Sequence, residues 1–171
     1  RKGETVIFGG SAGGLLVGAT LNLRPDLFGG AIAAVPFVDV LTTISDPELP
    51  LTPPEWVEWG NPINDADAYA TISAYSPYEN IRGDVEYPPI FALGGLTDFR
   101  VTYWEPAKWI ARLREEAKGG PFLMKMHMDA GHGGSAARFE RMKERAHEYA
   151  FALKIFGLTE RAPVRHRVDG A

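Results

Sequence analysis

The chain has 171 residues, 45% of them hydrophobic, and a formal net charge of −4. This is about one domain, with enough apolar residues for a buried core. Acidic and basic residues are interspersed, and no apolar run is long enough to cross a bilayer, so we expect neither nucleic acid nor a membrane among its partners. The chain has no cysteine, which excludes disulfides and thiolate chemistry.

The first elements alternate between strand and helix. Residues 5–8 form a short β-branched and aromatic run, which predicts a buried strand. Residues 15–23 predict an apolar helix that ends at Arg24-Pro25, because proline cannot extend it. Residues 31–35 predict a second buried strand, which Pro36 ends.

The stretch from residue 37 to residue 88 has poor periodicity and is rich in Pro, Asp and Asn. It is too long for a plain connection inside a compact domain. We therefore predict a functional loop or an excursion from the core here.

The remaining chain returns to regular elements. Residues 89–93 predict a third strand, and a helix with an apolar face should begin near Pro106. Residues 122–128 partly alternate, as a strand near a sheet edge does, and residues 135–156 predict a last helix. Residues 159–171 are charged and contain proline, which predicts a disordered tail after the folded residues 1–158. This order is typical of an α/β fold with a mostly parallel sheet and helices on both faces.

A Gly-x-Ser-x-Gly motif, Gly9 to Gly13, stands between the first strand and the first helix. That context is typical of a nucleophile elbow, in which Ser11 occupies a strained turn and side chains at Gly9 and Gly13 would collide with neighbouring backbone. The helix would point its N-terminal amides at the site, so the Ala12 N–H is the expected oxyanion donor. The alternative is a glycine-rich turn, such as one for phosphate.

Asp98 and His132 complete the pattern expected of a catalytic triad. Asp98 follows the third strand and His132 follows the fourth, so both should lie with Ser11 at the carboxyl edge of the sheet. The chain order Ser, Asp, His matches the α/β-hydrolase arrangement. In such a triad the histidine takes the serine proton, and the aspartate fixes the histidine tautomer.

Two alternatives to this assignment remain open. His127, Asp129 and His132 have a spacing that could be drawn as a metal site, although the turn at Gly131 gives the two imidazoles no fixed common face, and we predict no metal and no cofactor. Asp39, which follows the second strand, or Asp129 could replace Asp98 as the acid.

Six segments together resemble the catalytic domain of the prolyl oligopeptidase family of serine peptidases, and within it the oligopeptidase B subfamily. They extend over about residues 5–158 and are Gly9-Gly10-Ser11-Ala12-Gly13-Gly14, Val35-Pro36-Phe37-Val38-Asp39-Val40, Glu58-Trp59-Gly60-Asn61-Pro62, Tyr75-Ser76-Pro77-Tyr78, Tyr103-Trp104-Glu105-Pro106-Ala107-Lys108-Trp109 and Met128-Asp129-Ala130-Gly131-His132-Gly133-Gly134.

The resemblance implies the C-terminal part of an α/β-hydrolase domain, in a mostly cytosolic, sometimes periplasmic, endopeptidase that cleaves oligopeptides. By similarity, Ser11, Asp98 and His132 are the triad. Arg100 matches an arginine that holds a substrate carbonyl in prolyl oligopeptidases, and Val101 matches a residue that lines their specificity pocket.

The oligopeptidase B subfamily cuts after Arg or Lys, and burying such a side chain requires a counter-charge. By resemblance, two glutamates separated by one residue supply that charge. Here Glu55 matches the first, whereas the second falls on Val57. Glu58 is adjacent, but an extended segment would aim it elsewhere.

The resemblance also implies segments that would precede Arg1: a β-propeller, the first strands of the hydrolase sheet and a tyrosine that gives a second oxyanion hydrogen bond. We therefore expect the chain to be a fragment that is inactive or nearly so alone, with the missing segments as partners. A prolyl oligopeptidase, an acyl-peptide hydrolase or an esterase would use the same triad. A non-catalytic fragment that serves only as a scaffold or interaction surface is the alternative from another class.

Overall fold

A computed structural model of the chain describes residues 3–159. Over this range the predicted alternation of strands and helices is present, with further short elements in the long middle stretch. In chain order the elements are β1 (Val6–Gly10), α1 (Ala12–Leu23), β2 (Gly30–Ala34), α2 (Val40–Ile44), α3 (Thr52–Trp59), α4 (Ala66–Tyr75), β3 (Glu86–Tyr87), β4 (Ile90–Gly95), α5 (Trp104–Glu116), β5 (Lys118–Gly119), β6 (Phe122–His127) and α6 (Arg138–Ile155).

The centre of the fold is a four-stranded parallel sheet in the order β1-β2-β4-β6. Helices cover both of its faces, which confirms the predicted α/β class. On one face, α1 and α5 pack through Leu21, Trp109 and Leu113, all of which are buried. On the other, Phe151 of α6 packs against Phe91, with ring centroids 5.6 Å apart. The strand β6 lies at an edge, as its alternation predicted.

The middle stretch is a helical excursion rather than an open loop. Helices α2, α3 and α4 form a small apolar cluster of their own around Phe37, Ile44 and Ile72. The helices are short, between 5 and 10 residues, so each offers too few turns for a clear 3.6-residue pattern. A local signal marks the start of α4, where the Asp65 side chain accepts hydrogen bonds from the amides of Asp67 and Ala68.

The structure also moves several predicted boundaries. The strand β1 continues through Gly9 and Gly10, and α1 begins directly after Ser11. The last helix begins at Arg138 rather than at residue 135, which leaves residues 128–137 as the connection from β6. The predicted disordered tail lies, apart from Thr159, outside the described residues.

Candidate active site

Ser11 lies on the turn between β1 and α1, with φ 55° and ψ −123°. A positive φ at a residue other than glycine is strained, as the elbow motif predicted. The turn is held because the Ser11 amide donates to the Ala34 carbonyl at 3.0 Å, and the Ser11 carbonyl accepts from the amide of Phe37 at 3.1 Å. These bonds fasten the serine to the end of the neighbouring strand β2.

Close packing explains two of the glycines around this turn. A Cβ at Gly9 would lie 2.1 Å from the Gly13 carbonyl oxygen, and a Cβ at Gly14 would lie 2.5 Å from Pro36. The prediction for Gly13 was wrong, since a Cβ there would meet no atom within 4 Å. Gly13 contributes its backbone to the close approach, and its own lack of a side chain is not required.

Asp98 follows β4 and is held by the backbone of its own turn. Its side chain is fully buried, and Oδ1 accepts hydrogen bonds from the amides of Arg100 at 2.9 Å and Val101 at 3.1 Å. These two donors leave Oδ2 to face His132. The sequence placed Asp98 at the end of a strand, but it gave no indication of this pair of amides.

His132 joins the other two residues in a continuous hydrogen-bonded chain. Its Nδ1 lies 2.8 Å from Asp98 Oδ2, and its Nε2 lies 3.0 Å from Ser11 Oγ. The histidine reaches Asp98 because the end of β4 carries Gly95, where a Cβ would lie 2.5 Å from the Ala130 carbonyl oxygen. The three residues predicted from separate strand ends therefore meet at one point.

Ala12 is the first residue of α1 and lines a cavity together with Ser11 and His132. The N-terminal end of this 12-residue helix carries the partial positive charge of the helix dipole. A substrate carbonyl oxygen that becomes negative as the serine attacks would therefore lie beside the N-terminal end of α1. This is the position predicted for the Ala12 N–H as an oxyanion donor.

The other two candidate acids are not the partners of His132, whose two ring nitrogens face Asp98 and Ser11. Asp39 is buried and pairs with Lys108 of α5, while Asp129 is exposed. His127 lies with its Nδ1 3.3 Å from Glu144 Oε1, so the two imidazoles have different carboxylate partners. Across residues 3–159, no group of three or more His, Asp or Glu side chains is arranged to hold a metal ion. None of the helices in that range has the length and apolarity needed to cross a membrane.

The same cavity is lined by both glutamates of α3, Glu55 and Glu58. Glu58 was expected to point elsewhere only if the segment were extended. The segment is helical instead, and residues three apart share one helix face. Val57 is 94% exposed and points away from the cavity. Glu55 is further oriented by Trp59, whose Nε1 donates to Glu55 Oε2 at 3.2 Å.

Arg100 and Val101 line the same cavity. Val101 is buried and packs in the apolar cluster of the excursion, whereas Arg100 is exposed. The sequence resemblance pointed to the side chains of both residues. Their backbone amides also hold the Asp98 carboxylate in place by donating to its Oδ1.

Glu105, on the first turn of α5, is a buried carboxylate that sequence reasoning passed over. It accepts hydrogen bonds from the amides of Val38 and Asp39, each at 3.0 Å, and from the Thr43 hydroxyl at 2.7 Å. Burial raises the pKa of Glu105 to about 7, against the pull of these donors. Thr43 lines the cavity, so this carboxylate ties the cavity wall to α5.

A serine on a strand-to-helix elbow, with an aspartate and a histidine from later strand ends of a parallel sheet, defines an α/β-hydrolase. The chain belongs to the prolyl oligopeptidase family, whose family model matches residues 2–159.

Known relatives match nearly the whole chain. It is 46% identical to dipeptidyl aminopeptidase BI of Pseudoxanthomonas mexicana, over 94% of the chain and 22% of that protein. It is 47% identical to protease 2 of Moraxella lacunata, over 93% of the chain and 23% of that protein. Among solved structures, oligopeptidase B from Leishmania major matches with a TM-score of 0.88 at 47% identity, over 96% of this chain and 23% of that one. The chain thus spans less than a quarter of the length of these relatives.

Proposed function

We propose that this chain supplies the catalytic triad of a serine peptidase that hydrolyses peptide bonds in oligopeptides, and that the active enzyme is a longer protein containing it. The observation that carries the proposal is the continuous hydrogen-bonded chain from Ser11 Oγ through His132 to the buried Asp98. Membership of the prolyl oligopeptidase family supports peptide bonds as the substrate.

In the first half of the reaction, Ser11 Oγ attacks the carbonyl carbon of the scissile peptide bond. His132 Nε2, 3.0 Å from that oxygen, takes the serine proton as the new C–O bond forms. The negative charge on the carbonyl oxygen is stabilised at the Ala12 end of α1. His132 then gives its proton to the leaving amine as the C–N bond breaks, which leaves an ester on Ser11.

In the second half, water attacks the ester carbonyl while His132 Nε2 takes a proton from that water. The C–O bond to Ser11 then breaks, and the serine oxygen recovers a proton from the imidazolium. Asp98 stays ionised throughout. It stabilises the positive imidazolium across the 2.8 Å contact and keeps Nδ1 protonated in the resting enzyme.

A fluorophosphonate probe tests the triad directly, because it reacts only with an activated serine. The longer protein should be labelled at Ser11, and Ser11→Ala should abolish both labelling and peptide hydrolysis. Asp129→Asn is the matched control, since Asp129 is exposed and lies three residues before the catalytic histidine. A protein that hydrolyses peptides with Ser11 replaced by alanine would refute the proposal. The 171-residue chain alone should label slowly or not at all.

We further propose that cleavage follows Arg or Lys, with Glu55 and Glu58 as the counter-charges. Both carboxylates line the cavity that contains Ser11, and they lie one helical turn apart on α3. A cationic side chain in this cavity would have two carboxylates within one face to pair with, whereas a neutral side chain would leave them unpaired. The pair differs from the one expected by resemblance, because its second member is Glu58.

Two single variants, Glu55→Gln and Glu58→Gln, test this preference. The matched control is Val57→Gln, on the exposed face of α3. We expect each cavity variant to lower kcat/KM for Arg and Lys substrates about 10-fold or more, while Pro substrates change little. Val57→Gln should leave all substrates unchanged. Unaltered Arg preference in the double Glu55→Gln/Glu58→Gln variant would refute the assignment.

The same panel should pair substrates that have free and blocked amino termini. One close relative is named a dipeptidyl aminopeptidase. Cleavage of blocked substrates supports the endopeptidase proposal. Strict dependence on a free amino terminus two residues from the cut would replace it with dipeptide removal.

A further inference from the structure

The connection between β6 and α6, residues 128–137, carries His132 near its middle and is here called the histidine loop. Its entry limb is bound to the turn after β4, because the Thr97 amide donates to the Ala130 carbonyl at 3.1 Å. Its exit limb folds back through a bridge between Gly131 and Gly134. The position of the catalytic imidazole depends on how firmly both limbs are held.

One carboxylate contacts both limbs of this loop. Glu144 Oε1 accepts a hydrogen bond from the Ser135 amide on the exit limb at 3.1 Å. The same oxygen lies 3.3 Å from Nδ1 of His127, which ends β6 where the entry limb begins. The other carboxylate oxygen packs on Gly134, where an added Cβ would lie 2.8 Å from Oε2.

The helix that carries Glu144 is itself fixed to the sheet. Near the C-terminal end of α6, Phe151 packs on Phe91 of β4, and Ile155 lies in the same apolar cluster. Glu144 and His127 are both mostly buried, with side chains 16% and 17% exposed, so their contact is largely shielded from solvent. The carboxylate is therefore a fixed point against which the loop is positioned.

We propose that Glu144 is a positioning residue for the reaction. It holds the entry and exit limbs of the histidine loop together and so keeps His132 next to Ser11. This inference rests on the proposed function, because it assigns a means of positioning to the same triad. Glu144 touches neither substrate nor reacting atoms. It acts through His132, whose 3.0 Å contact with Ser11 Oγ is sensitive to a displacement of less than 1 Å.

The test measures fluorophosphonate labelling in the longer protein, separating the rate constant of inactivation, kinact, from the half-saturating concentration, KI. Glu144→Ala should lower kinact about 10- to 100-fold, since a misplacement near 1 Å can cost that much, while KI stays unchanged. Glu144→Gln keeps an oxygen that can accept from the Ser135 amide, so kinact should return to within about threefold of wild type. If Glu144 only stabilised the fold, Glu144→Ala would lower the melting temperature. It would not lower kinact at an unchanged KI, and Glu144→Gln would not restore kinact.

Glu140→Ala is the matched control. Glu140 lies one turn earlier on the same helix, is exposed and pairs with Lys143 at 2.6 Å. Its kinact should equal that of wild type. Since Glu144→Ala could unfold, His127→Ala gives a second measurement that removes the entry-limb contact and leaves α6 intact, and about a threefold or larger fall in kinact is expected.

The outcomes separate the two proposals. A wild-type protein that the probe does not label at Ser11 overturns the proposed function, and this inference with it. Wild-type labelling at Ser11 together with an unchanged kinact in a folded Glu144→Ala protein overturns only the role of Glu144. An unchanged kinact in His127→Ala equally contradicts a carboxylate that holds both limbs.

Discussion

The substitution Asp98→Asn separates the orientation of the histidine from the integrity of the site. In the wild type, the amides of Arg100 and Val101 both donate to Asp98 Oδ1. In the variant, the carbonyl oxygen of asparagine takes that position, and its Nδ2 donates towards His132 Nδ1. The ring proton must then sit on Nε2, which can no longer accept the proton of Ser11.

The structure sets the size of the effect. Turning the asparagine over would restore the histidine tautomer, but it would place Nδ2 against two N–H donors and leave both unsatisfied, at about 1–3 kcal/mol each. The population of the competent asparagine orientation is thus lowered by roughly 30-fold to 10⁴-fold, and we expect kcat to fall by a factor in that range.

Peptide hydrolysis and fluorophosphonate labelling of the longer protein measure this loss, with circular dichroism as the check on folding. Asp129→Asn, an exposed change of the same type, should have no effect. A folded Asp98→Asn enzyme that keeps more than about a third of wild-type kcat would refute the orientation argument, since it lies outside the range set by the two amides.

Three further predictions concern stability. Gly9→Ala should prevent correct folding, because its Cβ would lie 2.1 Å from a carbonyl oxygen. Gly13→Ala places its Cβ in open space and should raise the free energy of unfolding by up to about 1 kcal/mol. Urea denaturation of both variants checks the contrast. The pKa of Glu105 is raised by burial from 4.5 to about 7, so the folded state binds this proton more tightly and stability should fall as pH rises from about 4.5 to 7. Glu105→Gln should remove that part of the slope, about 3 kcal/mol between pH 4.5 and 8, and an identical slope in both proteins would contradict the assignment. Leu113→Ala, at a fully buried site, should cost about 2–5 kcal/mol in the same assay, and a loss below about 1 kcal/mol would place Leu113 outside the tightly packed core.

The sequence predicted the sheet and the strand-end positions of Ser11, Asp98 and His132 because both follow from local patterns. Short apolar runs mark buried strands, and parallel strands bring their carboxyl ends to one edge. The class of the fold needed no knowledge of any individual contact.

Contacts between distant segments were the part that sequence reasoning could not supply. Glu58 would point away from the pocket if its segment were extended, and an eight-residue helix with prolines at its second and third positions offers too little periodicity to show that it is helical. The roles of Glu105 and Glu144 depend on partners 62 and 9 residues away, and no spacing rule links them. The need for glycine at position 13 was also misjudged. The motif marks the position of Gly13, but the free space around its Cα is seen only in the folded structure.

The contact between Ser11 and His132 joins residues 121 positions apart in the chain. It spans from one edge strand of the described sheet to the other, so it cannot form until β6 has been added. During synthesis on the ribosome, Ser11 therefore emerges long before His132. Under the proposed function, a chain that is truncated before β6 has no competent nucleophile, and peptide-bond cleavage must wait until β6 has joined the sheet.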